Sequence, residues 1–150
     1  MPENNMRDVA TRKKDVLDAL EAQGHYWLVT AEVGGRPHVI GVSGWWDDGQ
    51  IVVTTLGSSR TARNMAMNPQ VKLAHGDPGD AIVIEAQMID SAAVEDSSEL
   101  ASGFKAAMGW DPREMGGWMF FRLRPTRIQA FRGYDEIGDR DVMLRSRWLA

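Results

Sequence analysis

The sequence predicts a mainly β protein: a closed or nearly closed barrel of six or seven mostly antiparallel strands with few helices between them. Short apolar runs with strand-like patterning recur along most of the chain. Turn-favouring pairs, Gly34–Gly35 and Asp48–Gly49, separate the early ones. Strands of this kind, with so little helix to cover them, would expose their edges unless the sheet closed on itself. The 150 residues fit one compact domain, and no internal repeat or low-complexity segment divides them.

Residues 6–23 place Val9, Val16, Leu17 and Leu20 at helical spacing among charges. They read as an amphipathic helix ended by Gly24 that lids one end of the sheet. HYWLVTAEV, RPHVIGVSGWW and QIVVTTL then form a three-strand antiparallel meander. A short helix follows, capped by Ser58 or Ser59, with Ala62, Met65 and Ala66 inward and Pro69 preventing its continuation. QVKLAHG and AIVIEAQMID are the fourth and fifth strands, joined by the turn DPGD. A second helix is expected from about Ser97 to Met108, behind Asp96, Ser97 and Ser98 as caps. GWMFFRLRP and TRIQAFRG read as two short strands interrupted at Pro125, which suits an edge, bend or bulge. The tail, residues 132–150, carries a few apolar anchors and is expected to pack on the body or on a partner subunit.

Composition excludes several chemistries. The absence of cysteine removes disulfides, cysteine-bound zinc, iron–sulfur clusters and thiol nucleophiles, and fits a reducing compartment, so cytoplasm is expected. The N-terminus lacks the apolar core of a signal peptide, and runs such as AIVI are too short to span a bilayer, so no membrane partner is expected. The net charge of −4 is uneven, −7 over residues 1–100 and +3 over 101–150. An acidic whole with local basic spots favours a small anionic ligand over nucleic acid, which wants a continuous basic face. His25, His38 and His75 lie far apart in sequence without ligand spacing, so no metal site is expected. No serine nucleophile elbow, paired catalytic carboxylates or phosphate loop appears. An enzyme built this way needs a cofactor to supply its chemistry.

The segment TTLGSSRTARNMAMNP, Thr54 to Pro69, gathers hydroxyls and cations where a strand gives way to a helix. A helix N-terminus offers unpaired N–H groups and about half a positive charge, and so accepts phosphate. Ser58, Ser59 and Thr61 add hydroxyl donors, and Arg60 and Arg63, three apart on one helix surface, add guanidinium groups suited to phosphate oxygens. The plainer alternative is a serine cap beside a solvated basic face. Cations in a first helical turn oppose the dipole by about 0.3–1 kcal/mol each, which an anion would relieve. On the next strand back, Val39, Gly41, Ser43 and Trp45 share one face with small residues at its middle, leaving room for a flat ring. Gly41 and Gly44 would equally serve barrel bends, and Trp45 a dimer interface. Trp110, Trp118 and Trp148 could line a cleft or an interface.

The strand, DDG turn, strand and TTLGSSRTARNMAMNPQVKLA together resemble the phosphate-binding segment of the pyridoxamine 5′-phosphate oxidase-like family. The likeness runs from about Trp27 to Trp148, including FFRLRPTRIQAF and GDRDVMLRSRW. It implies a split β-barrel of the FMN-binding type, a homodimer with its cofactor site between subunits, and FMN or the deazaflavin F420 as cofactor. Carried over by position, Ser59 and Arg60 match the family's Ser-Arg, Thr61 replaces the lysine that follows, and Thr55 matches the threonine ending the preceding strand. His38 stands where the oxidases have an arginine, Ser43 lies near their lysine, and Arg140 matches a C-terminal arginine that reaches the cofactor. These departures argue against pyridoxamine phosphate oxidation itself. The resemblance therefore implies a flavin- or deazaflavin-dependent oxidoreductase moving hydride to or from a small organic substrate. A non-catalytic flavin, deazaflavin or haem carrier on the same barrel is the alternative.

Overall fold

The computed structural model describes residues 6–22 and 24–150. Its element order is α1 (Val9–Ala22), β1 (His25–Ala31), β2 (Pro37–Asp47), β3 (Gln50–Leu56), α2 (Arg60–Met67), β4 (Gln70–Asp77), β5 (Asp80–Ala93), α3 (Ser98–Met108), β6 (Trp118–Arg132), β7 (Asp141–Leu144) and β8 (Arg147–Trp148). All pairings are antiparallel, in the order β3-β2-β1-β4-β5-β6-β7-β8. A further pairing of β3 with β6, from Ile51↔Leu123 to Leu56↔Trp118, closes the first six strands into a split β-barrel.

The meander forms as its turn residues dictate. Asp48 and Gly49 both take positive φ, 49° and 84°, the conformation a two-residue hairpin requires and aspartate-glycine tolerates. Leu28, Val42, Ile51, Val53, Leu73, Ile84 and Leu123 point into the barrel, with Val16 and Leu20 of α1 completing that core. Leu17 is only half-buried, and Ala66 of α2 is exposed; Thr61 and Asn64 take the inward places beside Ala62 and Met65. The expected first helix begins at Val9, three residues late, where the Asp8 carboxylate accepts from the Thr11 N–H at 2.7 Å. Gln23, its expected last residue, lies outside the described residues.

A second apolar layer sits outside the barrel, where α3 covers β3 and β6. Val52, Val94, Ala101, Phe104 and Phe120 form it, with Trp45, Trp110 and Trp118 packed around them. α3 starts at Ser98 as expected, but Ser97 makes no side-chain cap. Gly109, at φ 82°, ends it in the left-handed conformation. No helix among the described residues is long and apolar enough to cross a membrane.

The expected break at Pro125 is a bulge within one strand. β6 runs on through Pro125, and its register with β5 slips, so that Ala86 faces Pro125 while Glu85 faces Arg127. Thr126 is the extra residue, which accommodates a proline that cannot donate to the ladder. The tail packs on the barrel: Val142 and Met143 of β7 are buried. Lys13 of α1 lies over the Trp148 ring at 5.5 Å.

A charged clasp joins the segment before α1 to the turn after β6. Glu136, 1% exposed, accepts from the Arg7 backbone N–H at 2.8 Å, from Arg7 Nη2 at 2.6 Å and from the Arg132 N–H at 2.8 Å. Arg7 also pairs with Asp15 at 2.9 Å. The hydrogen bond from the Arg7 side chain holds the Glu136 carboxyl down at about 2, against burial that pushes it up. A carboxyl depressed by folding contributes stability that is whole above its unfolded value and lost as pH falls towards its folded one. Between about pH 4.5 and 2 the protein should therefore lose about 3 kcal/mol from this group alone. Thermal melts from pH 7 to 2.5 should show Glu136→Gln destabilised by about 2–3 kcal/mol at neutral pH and flatter than the parent in acid.

Candidate functional site

α2 follows β3 with only Gly57, Ser58 and Ser59 between them. Ser59 caps the helix, its Oγ accepting from the Ala62 N–H at 3.1 Å. It therefore performs the plain capping role, which leaves the earlier first-turn N–H groups at the helix mouth. Arg60 and Arg63 are both exposed there. Arg60 Nη1 bonds Glu32 Oε1 at 3.1 Å, and Arg63 Nη1 donates to the Ser58 carbonyl at 2.8 Å. An ion pair as open as Arg60–Glu32, 47% and 40% exposed, is worth at most about 1 kcal/mol, so an incoming dianion can displace it.

Thr61 lies on the other face of the helix. It is 1% exposed and its hydroxyl has no protein partner, so it does not stand at the mouth with Ser59 and Arg60. Asn64, one turn on, donates to the Thr30 hydroxyl at 3.1 Å and fastens α2 to β1. His38 of β2 is the cross-strand partner of Thr30, one strand away from that anchor.

Beside this corner lies a cavity of about 440 Å³. Gly41 and Ser43 of β2 line it with Thr54 and Thr55 of β3. Ser43 and Thr54 face each other across the strands, and the Thr54 hydroxyl donates to the Met119 carbonyl at 2.9 Å. A Cβ on Gly41 would meet nothing within 4 Å, in keeping with an open floor. Trp27 of β1, the loop residue Trp110 and Trp118 at the start of β6 supply aromatic wall. The indoles of Trp110 and Trp118 meet edge to face, centroids 6.1 Å apart at 90°, and Trp110 packs likewise on Phe104 at 5.3 Å and 89°. The Gly57 N–H donates to the Gly117 carbonyl at 2.9 Å, tying the start of the α2 corner to the loop that carries Trp110.

Of the residues singled out from sequence, Ser43 and Thr55 line the cavity. Ser58, Ser59, Arg60 and Arg63 gather at the adjoining helix mouth. Arg140 lies elsewhere, just before β7, its Nη1 donating to the Ile137 carbonyl at 2.7 Å and its guanidinium 5.7 Å from the Phe131 ring. Sequence reasoning missed His25 and His75, which antiparallel pairing of β1 with β4 brings to the same cavity from fifty residues apart. Only knowledge of that pairing could have joined them. The Tyr26 ring lies 5.9 Å from that of His75; burial pushes its phenol up to about 12 and its hydroxyl has no protein partner. It stays neutral at physiological pH.

The closed six-strand barrel, with its cavity laid against a helix-capped corner, defines a split β-barrel protein. The chain belongs to the pyridoxamine 5′-phosphate oxidase family, whose model matches residues 13–132. No curated protein matches the sequence. Among solved structures it is similar to an F420 reductase, at 19% identity and TM-score 0.61, over 74% of this chain and 93% of that one. It is also similar to HutZ, the haem storage protein of Vibrio cholerae, at 22% identity and TM-score 0.64, covering 83% and 98%. A haem-binding protein from Mycobacterium smegmatis matches at 18% identity and TM-score 0.64, over 86% of this chain and 56% of that one. At these identities the likeness is one of fold.

Removing the cap should be felt locally. Ser59→Ala is expected to lower stability by about 1 kcal/mol in chemical denaturation, through loss of the bond to Ala62.

Proposed function

We propose that this chain is a flavin- or deazaflavin-dependent oxidoreductase, with FMN or F420 held across the cavity and the α2 corner. The observation that carries this reading is adjacency. Thr55 lines the cavity, and Ser58, at the helix mouth, follows three residues later, at most about 10 Å of chain. A molecule with a flat ring and an anionic tail fits that pair of neighbours. The ring meets the Thr55 hydroxyl and an open glycine floor, which leaves the indoles to a substrate; the tail meets Ser58, Ser59, Arg60 and Arg63. The bound cofactor would supply hydride chemistry towards a small organic substrate, and the residues of the chain would hold it, orient it and keep water out. Thr61, being buried, supports the phosphate only through its backbone, and His38 is a further contact near the tail.

A homodimer completes the site in this reading. Trp27 and Val39 remain 59% and 53% exposed on the outer face of β1 and β2, beside the cavity. A second copy seated there would cover them and roof the ring, and it would let Arg140 approach the neighbouring cofactor. This apolar area supports association, since large hydrophobics left bare usually mark an interface.

The second reading is a haem carrier on the same barrel. His25 and His75 in one aromatic cavity favour it, because imidazole is a common haem-iron ligand. The names of two of the solved relatives point the same way.

Titration of the apo-protein with FMN, F420 and haem, followed by absorbance, separates these readings. Arg60→Ala with Arg63→Ala should weaken FMN or F420 binding by ten- to several-hundredfold, as loss of charge-assisted contacts at about 1.5–3 kcal/mol each implies. Unchanged affinity for both in the double variant, or tight binding of haem alone that His25→Ala or His75→Ala abolishes, would overturn the oxidoreductase reading. Val39→Asp should shift the protein towards monomer in analytical ultracentrifugation and weaken cofactor binding with it.

A further inference from the structure

Among the described residues thirteen line the cavity, and none of them is Lys, Arg, Asp or Glu. A quarter of the chain is charged, so about three such residues would be expected by composition, although ligand cavities favour apolar lining. Two neighbouring hollows exceed composition: Arg7, Asp15, Asp80 and Arg132 line the one beneath α1, and Asp47, Asp96, Glu99 and Arg122 the one at the start of α3. The cations of the α2 corner stay outside the cavity.

From this we infer that the site selects an uncharged, planar, conjugated substrate, and that Trp110 and Trp118 are the residues that recognise it. The inference rests on the oxidoreductase reading for calling the molecule a substrate; the selectivity itself belongs to the cavity. A carboxylate or phosphate brought into this space would lose its water and find no counter-charge, a penalty that an uncharged isostere escapes. The indoles stand at right angles, so a flat ring stacked on one is met at its edge by the other. Phe104 behind Trp110 fixes that corner. The Ser43 hydroxyl can donate to a carbonyl or accept from an amide, and the Thr54 oxygen, whose proton goes to the Met119 carbonyl, can accept from an amide, neither adding charge. A phosphorylated substrate, which needs cations of its own beside the ring, does not fit.

The test uses a matched pair, 2-naphthamide and 2-naphthoate, which share ring and size and differ in charge. Binding is measured at pH 8 by calorimetry on the full chain, with and without saturating cofactor. The amide is expected to bind at least about tenfold tighter than the carboxylate, as an unpaired buried charge requires. Trp110→Ala should cost the amide about tenfold and Trp110→Phe should restore most of it, since a phenyl face still stacks. Ala74→Lys places a cation in the lining and should reverse the preference towards naphthoate. Equal affinity for the two probes, or amide binding indifferent to Trp110→Ala and Trp118→Ala, would overturn the inference even if a flavin binds. Amide preference without any flavin binding would support the cavity's selectivity while the oxidoreductase reading fell.

Discussion

Closure of the barrel through the β3–β6 pair is the constraint on which the rest depends. β3 is buried on both faces, its inner side by the barrel core and its outer side by the layer under α3. That explains a strand written almost entirely in β-branched residues, QIVVTTL. Because β6 also pairs with β5 along its length and with β7 near its end, one strand joins the barrel to the tail. The same pairing sets Thr54 beside Phe120 and Leu56 beside Trp118, which brings hydroxyls from one strand and an indole from the other to one place. Lose the closing pair and neither the cavity wall nor the run from β3 into α2 keeps its position.

Charge is partitioned around that framework. Among the described residues the aromatic space carries none, the α2 corner carries exposed guanidinium groups, and the one strongly buried carboxylate, Glu136, ties Arg7 to the turn after β6. An elongated ligand with a neutral ring and an anionic end matches such a division. Low polarity around a ring and a solvated grip on its tail are compatible demands only when the two lie side by side, as they do where β3 meets α2.

Much of this was legible in the sequence. The turn pairs, the alternating runs, the Pro69 stop and the hydroxyl-rich helix start are local signals, and the elements they mark appear within a few residues of expectation. A closed barrel followed from them, and the split barrel and its family from the resemblance carried by TTLGSSRTARNMAMNPQVKLA. The orientation of side chains in α2 was less legible: a helix of eight residues can turn either of two faces inward, and packing against Thr30 chose the one bearing Thr61 and Asn64. Pro125 looked like an interruption because a bulge is a property of two paired strands, and its partner, β5, lies some forty residues away. His25 and His75 were invisible as a pair for the same reason. The tail hid its two strands because each is only two to four residues long and takes its order from β6.

The clasp at Glu136 also makes Arg7 part of the interior. A protease cutting just after Arg7 would strand a carboxylate under a turn with its principal cation gone. Trimming there would be expected to loosen that turn, 129 residues away in sequence, before it touched the helix it borders; susceptibility to nicking is thus governed from Arg7.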